Sequence, residues 1–284
     1  MPEPLAHYQG RIMPLDQVMV PALDRGFLFG DAIYEVLRIY RGKPWLEVEH
    51  WRRLERSLAK VRIVGVDLAE LRRRMIETIA AGPFAEAMVY IQITRGAGPR
   101  RRHAFNVPLR PLELLWVEEY DDGPTAAKRR TGVSVVTHPD LRWQRCDVKS
   151  TNLLANVMAY TFAAERGAAE AIFYLPDGYL SEASHSSFFW VRGGTLFTTP
   201  VAANILPGIT RQFLFRLADR LGLPCREARL LGKDLFGVDE LFLTGTTSEV
   251  LPVVRVDDRV ISNGEPGPLT CRLRDEHRAE VERP

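Results

Sequence analysis

Apolar residues along this chain alternate between a spacing of two and a spacing of three to four, and one polar stretch near the middle separates two such blocks. In the first block, residues 33–40 (IYEVLRIY), a turn at Gly42 and residues 44–48 read as a β-hairpin. Trp51, Leu54, Leu58 and Val61 then fall on one face of a helix over 49–61. A second helix covers about 67–81, with Arg72-Arg73-Arg74 on its solvated face beside Leu68, Leu71, Met75 and Ile79. Residues 88–94 and 112–117 are apolar runs of strand length. Residues 118–130 (EEYDDGPTAAKRR) favour turns and bury little, which marks 119–130 as a linker. Beyond it, strands are expected at 132–137, 170–175, 187–191, 195–199, 239–244 and 250–256. Helices are expected from Leu153 to about Gly167 and over 209–221. No element is assigned after 262. The pattern implies an α+β fold class with a smaller domain over 1–118 and a larger one over 131–284 carrying the lysine discussed below, without a βαβ repeat.

Charge and composition narrow the function. Lys and Arg total 38 against 36 Asp and Glu, a net charge of +2, which gives nucleic acid no electrostatic claim as a partner. No apolar run reaches 18 residues and the first ten residues lack a signal-peptide pattern, so neither a membrane span nor a secretory leader is expected. Cys146, Cys225 and Cys271 are odd in number and far apart, which predicts neither a disulfide framework nor a metal site and suits a reducing cytoplasm. The sequence contains no GxGxxG after a strand, no GxxxxGK[ST], no HExxH and no GxSxG.

What remains is one lysine in an unusual setting. Lys149 closes the segment 145–150 (RCDVKS) just ahead of a helix expected from 151, and Leu141, Trp143, Cys146 and Val148 around it are residue types that tend to be buried. A desolvated lysine loses its proton readily, and an unprotonated amine is what Schiff-base chemistry needs. Downstream, Pro207-Gly208-Ile209-Thr210 opens a helix whose first N–H groups form an anion site. Thr244-Gly245-Thr246-Thr247 follows a strand and offers hydroxyls beside a glycine that permits close backbone approach. With the isolated acid Glu182, these features suggest a phosphate-bearing aldehyde cofactor, pyridoxal 5′-phosphate.

The same residues carry a family resemblance. Phe29-Gly30-Asp31 with Tyr34-Glu35, His50-Trp51-Arg52-Arg53-Leu54, Asp147-Val148-Lys149-Ser150, Tyr179-Leu180-Ser181-Glu182, Leu206 to Arg211 and Thr246-Thr247-Ser248-Glu249 resemble, in order, the blocks of the class IV aminotransferases, the fold-type IV pyridoxal-phosphate enzymes. The match runs from about 23 to 257. It implies that Lys149 binds the cofactor as a Schiff base and later moves the substrate proton, and that Glu182 faces the pyridine nitrogen. It also implies that Arg53, Ile209, Thr210, Gly245 and Thr246 hold the phosphate and that Leu206 packs under the ring. Arg142 and Trp143 are candidate supports, with a surface ion pair the competing reading for Arg142. Ser187 stands where the family usually has Asn.

Residues 94–103 (TRGAGPRRRH) are similar to the loop of D-amino-acid transaminases that reaches in from a neighbouring subunit to bind the substrate carboxylate. By that resemblance Tyr34, Arg100 or Arg101, His103 and Thr247 form the carboxylate site, and the working unit is a homodimer. The loop is one residue longer between arginine and histidine, so both arginines remain candidates. Trp45-Leu46-Glu47 lacks the arginine that branched-chain members tend to carry. The implied reaction is transamination of D-amino acids with 2-oxoglutarate or pyruvate as acceptor. A branched-chain L-transaminase is the alternative, followed by an (R)-amine transaminase or an aminodeoxychorismate lyase.

Overall fold

The computed structural model describes residues 2–106 and 108–283, which form two compact units, one of 2–106, 108–121 and 148–152, the other of 122–147 and 153–283. In the first unit the elements run β1 (Leu5–Tyr8), β2 (Arg11–Pro14), α1 (Arg25–Phe29), β3 (Ala32–Tyr40), β4 (Lys43–Pro44), α2 (Glu47–Val61), α3 (Leu68–Ala80), β5 (Ala87–Thr94) and β6 (Leu112–Glu119). The strands form one antiparallel sheet in the order β2-β1-β6-β5-β3-β4. Strand β3 turns Ile33, Leu37 and Ile39 into a core shared with Leu54 and Leu58 of α2, Leu71 and Met75 of α3, and Ile91 of β5.

The hairpin expected over 33–48 is shorter on its second arm. Strand β4 has only two residues, and Leu46, with φ 51°, turns the chain into α2 at Glu47. Glu47 and Glu49 suit the positive end of the helix dipole, and Glu47 accepts a hydrogen bond from Trp51 Nε1 at 3.0 Å, so this stretch favours helix over strand. Helix α1 begins at Asp24, whose carboxylate accepts the N–H groups of Gly26 and Phe27, and ends at Gly30 with φ 64°. A side chain at Gly30 would also meet Asn152 Oδ1 at 2.7 Å. Glycine there lets its carbonyl accept from Asn152 Nδ2 and Thr151 Oγ1, at 3.1 and 3.2 Å.

The second unit contains α4 (Gly123–Thr131), β7 (Val133–Pro139), α5 (Leu154–Ala164), β8 (Glu170–Tyr174), β9 (Leu180–Ala183), β10 (Ser187–Arg192), β11 (Thr195–Thr198), α6 (Ile209–Arg220), β12 (Cys225–Glu227), β13 (Glu240–Gly245), β14 (Glu249–Val256), β15 (Arg259–Val260) and α7 (Pro268–Glu282). Its sheet runs β12-β11-β10-β13-β14-β7-β8-β9, with β15 paired to β14. Most neighbours are antiparallel, yet β7 pairs in parallel with both β8 and β14, and β11 with β12; β7 and β8 are linked through α5, and β11 and β12 through α6. One core of this unit packs Phe188, Trp190, Leu241, Leu243 and Val253 of the sheet with Leu230, Leu235 and Val238 from the chain between β12 and β13.

Three segments differ from the expectation. The polar stretch 119–130 is largely helix: Pro124 lies in the first turn of α4, where its missing N–H costs nothing, and Arg129 is buried. Residues 148–152 group with the first unit although α5 does not start until Leu154. Tyr34 N–H donates to the Lys149 carbonyl at 2.9 Å and Ile33 bridges Ser150, which ties this segment to β3. The unassigned C-terminal residues form α7, capped at its start by the Glu240 carboxylate, which accepts the N–H groups of Leu269 and Thr270.

Candidate active site

Strand β3 carries Tyr34 and Glu35 on opposite faces because side chains alternate along a strand. Glu35 points to the same side as Ile33, Leu37 and Ile39, into the apolar layer under α2, and is 1% exposed. Its carboxylate survives there because α2 brings His50 and Arg53, three residues apart, onto its buried face. Arg53 donates from Nε to Oε1 at 2.7 Å and from Nη2 to Oε2 at 2.8 Å, and His50 Nδ1 lies 2.8 Å from Oε2. Burial by itself raises the affinity of Glu35 for a proton. The charge and hydrogen bonds of Arg53, with help from His50, overcome it and hold the carboxyl far below its usual range. Burial pushes the His50 imidazole below its ordinary value, against the pull of Glu35, so the ring is neutral at pH 7.

Lys149 sits beside this network. Its Nζ lies 4.3 Å from the centroid of the Tyr34 ring, and its backbone N–H meets Ser57 Oγ of α2 at 3.5 Å. The Tyr34 ring in turn stacks on Tyr90 at 5.6 Å and Tyr90 on Trp116 at 4.0 Å, a stack that fixes the phenol. Burial of the lysine's flanks is mixed: Cys146 and Val148 are buried, whereas Leu141 and Trp143 are 72% and 42% exposed. The buried flanks belong to the part of the segment that packs inward, and Cys146 Sγ is additionally satisfied by the Trp143 carbonyl.

In the second unit, Glu182 lies on β9 and is buried. Arg142 pairs with it, and the Leu206 N–H donates to Oε2 at 3.2 Å. Arg142 is no surface residue. It also binds Asp140, through Nη2 at 2.7 Å and Nε at 2.9 Å, and Asp140 accepts from Ser181 Oγ at 2.7 Å. Burial raises the Glu182 carboxyl above its ordinary pKa, and Arg142 counteracts only part of that rise. A buried carboxyl held by one guanidinium is suited to facing a cationic N–H.

The register of the sheet gathers the remaining candidates. Ser187 of β10 lies opposite Thr244 of β13, and Thr246, Thr247 and Ser248 form the turn into β14. Helix α6 opens at Ile209 and Thr210 with no side-chain cap, leaving the N–H groups of its first turn available to an anion. A side chain at Gly208 would meet Ser187 Oγ at 2.9 Å and one at Gly245 would meet Ser248 Oγ at 2.7 Å. The buried Ser248 hydroxyl has no hydrogen-bond partner among the described residues. Uncapped amides, glycines where a Cβ would intrude and an unsatisfied hydroxyl fit a phosphate group.

Arg100, Arg101 and His103 are exposed on the loop after β5. Arg101 lies over the Phe29 ring at 5.0 Å, and the His103 ring meets the same Phe29 at 5.3 Å. The base of the loop is held by Arg25, which donates to the carbonyls of Arg102 and His103 and to Asp31 at 2.5, 2.8 and 2.7 Å, respectively. Arg95 makes two further bonds to Asp31, each 2.8 Å.

A family model described as amino-transferase class IV matches residues 32–256. The chain belongs to the class IV aminotransferases. It is 38% identical over 267 residues to a D-alanine aminotransferase of Bacillus licheniformis, covering 93% of this chain and 92% of that one. Among solved structures, a T.th. branched-chain aminotransferase complexed with N-(5′-phosphopyridoxyl)-L-glutamate superposes with a TM-score of 0.90 at 25% identity, over 100% of this chain and 96% of that one. The Escherichia coli branched-chain aminotransferase gives 0.87 at 25% identity, over 96% and 93%. The fold is therefore that of the fold-type IV aminotransferases.

Three residues of this class IV aminotransferase escaped the sequence reading as functional candidates in their own right. Glu35 and His50 lie within the family-like blocks, and the resemblance by itself gives them no role; Asp140 lies outside those blocks. A signal for the first two existed: a lone acid on the apolar face of β3, and polar His50, Arg53 and Ser57 on the stripe of α2 that also carries Leu54 and Leu58. No local pattern marked Asp140.

Proposed function

We propose that this aminotransferase transfers the amino group of D-amino acids to 2-oxo acids, with 2-oxoglutarate or pyruvate as acceptor, using pyridoxal 5′-phosphate bound through Lys149. The observation that carries the reading is the placement of Lys149: an amine over the Tyr34 ring, on a backbone pinned to β3 and α2. When bound, the cofactor supplies an electron sink for the carbon that loses its proton. Lys149 would hold the cofactor through its Nζ, and the same amine would move the proton at the substrate Cα. Glu182, oriented by Arg142 and the Leu206 amide, binds the ring nitrogen. The Leu206 side chain packs under the ring. Arg53, Ile209, Thr210, Gly245 and Thr246 hold the phosphate, with Glu35 and His50 fixing the Arg53 guanidinium. Tyr34, Arg100 or Arg101, His103 and Thr247 receive the substrate carboxylate.

The D preference rests on the D-alanine aminotransferase among the relatives and on the 94–103 loop. A homodimer is part of the same proposal. It is supported by the exposed loop cations and by exposed apolar side chains, Met19, Val20 and Phe27 in the first unit and Leu154, Val157 and Met158 on α5 in the second. We place the enzyme in the cytoplasm, in keeping with three cysteines that are all free thiols. No helix among the described residues is long and apolar enough to cross a membrane. The branched-chain L reading has the likeness to solved branched-chain enzymes in its favour. Half-reactions of the holoenzyme with D-alanine, L-leucine and (R)-1-phenylethylamine, followed spectrophotometrically, decide between them. D-Alanine reacts fastest if the proposal holds, and faster conversion by L-leucine refutes it. Lys149→Ala abolishes the spectral change with every donor.

A further inference from the structure

The 246–248 turn is backed by a buried cluster of charges that the cofactor reading does not use. Glu249, directly after it, is 1% exposed and takes φ 56°, a left-handed conformation unusual for glutamate. Its Oε1 accepts from Arg278 Nη1 of α7 at 2.8 Å, and its Oε2 lies 3.6 Å from Arg129 Nε of α4. Arg129 also donates from Nη1 to the carbonyl of Thr247, at 3.3 Å, and pairs with Asp122. Arg278 Nη2 reaches the same Asp122 at 3.2 Å, and Arg274 Nη1 holds the Arg129 carbonyl at 3.0 Å. Two carboxyls and two guanidiniums thus join α4, α7 and the turn. The remaining titratable neighbour, His277, is kept neutral by burial and by both arginines, its pKa near 3. It packs edge-on against Phe213 of α6, the helix whose first turn opens the anion site.

We infer that Arg129, Glu249 and Arg278 position the 246–248 turn for the cofactor phosphate, which makes the C-terminal helix α7 a determinant of cofactor affinity. The inference rests on the assignment of that turn to the phosphate. The physical argument is one of strain and charge balance. A left-handed glutamate costs backbone energy and persists only where its surroundings over-determine it. Here those surroundings are the two arginines. One of them, Arg129, also donates to the Thr247 carbonyl, so the backbone of the turn is itself held by the cluster. Removing one charge leaves a buried partner uncompensated and frees the turn to relax.

A positioning role is separable from a merely structural one by the phosphate itself. Full-length protein freed of cofactor is titrated with pyridoxal 5′-phosphate and, in parallel, with pyridoxal, which presents the same aldehyde to Lys149 without a phosphate. Imine absorbance reports both. Arg278→Gln and Glu249→Gln are expected to weaken binding of the phosphorylated aldehyde about tenfold, the lower end of what outer partners of a bound group contribute, and to leave pyridoxal within about twofold. Arg278→Lys restores most of the difference. Arg278 is partly exposed, so its variants fold even where Glu249→Gln does not. Equal losses for both aldehydes, or no loss for either, overturn the coupling. A wild-type chain that forms no imine with either aldehyde overturns the cofactor reading beneath it.

Discussion

Replacing Glu35 with glutamine keeps the shape of the side chain under α2 and removes its charge. Arg53 then stays buried with an amide in place of the carboxylate that accepted two of its hydrogen bonds, at 2.7 and 2.8 Å, and the amide NH2 opposes one of its donors. Breaking a buried ion pair by neutralising one member costs about 3–5 kcal/mol. Because His50 can still bond the glutamine oxygen, the low end applies, about 3 kcal/mol, or a fall in melting temperature of roughly 6–12 °C for a unit of this size. Bound phosphate offers Arg53 a replacement anion, so the loss is larger in cofactor-free protein than in holoenzyme. The pH dependence has a definite sign. The folded-state pKa of Glu35 is depressed from its ordinary 4.5, so its contribution is complete above that value and fades as pH falls toward the lower folded value. Wild type and Glu35→Gln should accordingly differ by the full amount at pH 6–7, begin to approach each other only as pH falls below 4.5, and converge only well into the acid range. Calorimetry of both proteins, with and without cofactor, over that range tests this. A variant that melts within a degree of wild type at pH 7 refutes the reasoning.

Glu182→Gln should lower kcat by two orders of magnitude or more (about 3 kcal/mol), since a charge facing the ring nitrogen acts chiefly in the transition state. The measurement is steady-state turnover with D-alanine, and an unchanged kcat removes the role. Arg100→Leu with Arg101→Leu should raise KM for D-alanine by about a hundredfold while sparing a carboxylate-free amine. If the loop completes a neighbour's site, subunits carrying both leucines, refolded with Lys149→Ala subunits, should regain about a quarter of wild-type activity at low D-alanine, because half the dimers then hold one intact site. No gain on mixing contradicts the shared site.

Much of the chain is legible from spacing alone. Leu54 and Leu58 sit where a 3.6-residue period puts them, on the core face of α2, and residues 88–94 and 112–117 do pair as β5 and β6. Lys149, Glu182 and the openings at 208–210 and 245–247 were visible because each is a chemical exception in a recognisable local setting. Periodicity reports which residues a single element buries, and no more. It could not show that Arg142 turns inward to Asp140 and Glu182, or that Arg74, in a run read as solvated, reaches Glu113 of β6 at 2.7 Å. It also missed α7, whose polar surface gives little contrast until Arg278 meets Glu249, and β9, too short to show a period. Spacing and residue chemistry were enough for the α+β class and for the longer, strongly periodic elements such as α2, β5 and β6. Only the tertiary structure decided which buried charges neutralise which. A charge leaves water only when an opposite one waits at hydrogen-bond distance, and most of those partners are remote in sequence, 18 residues for Arg53–Glu35, 40 for Arg142–Glu182 and 156 for Arg278–Asp122.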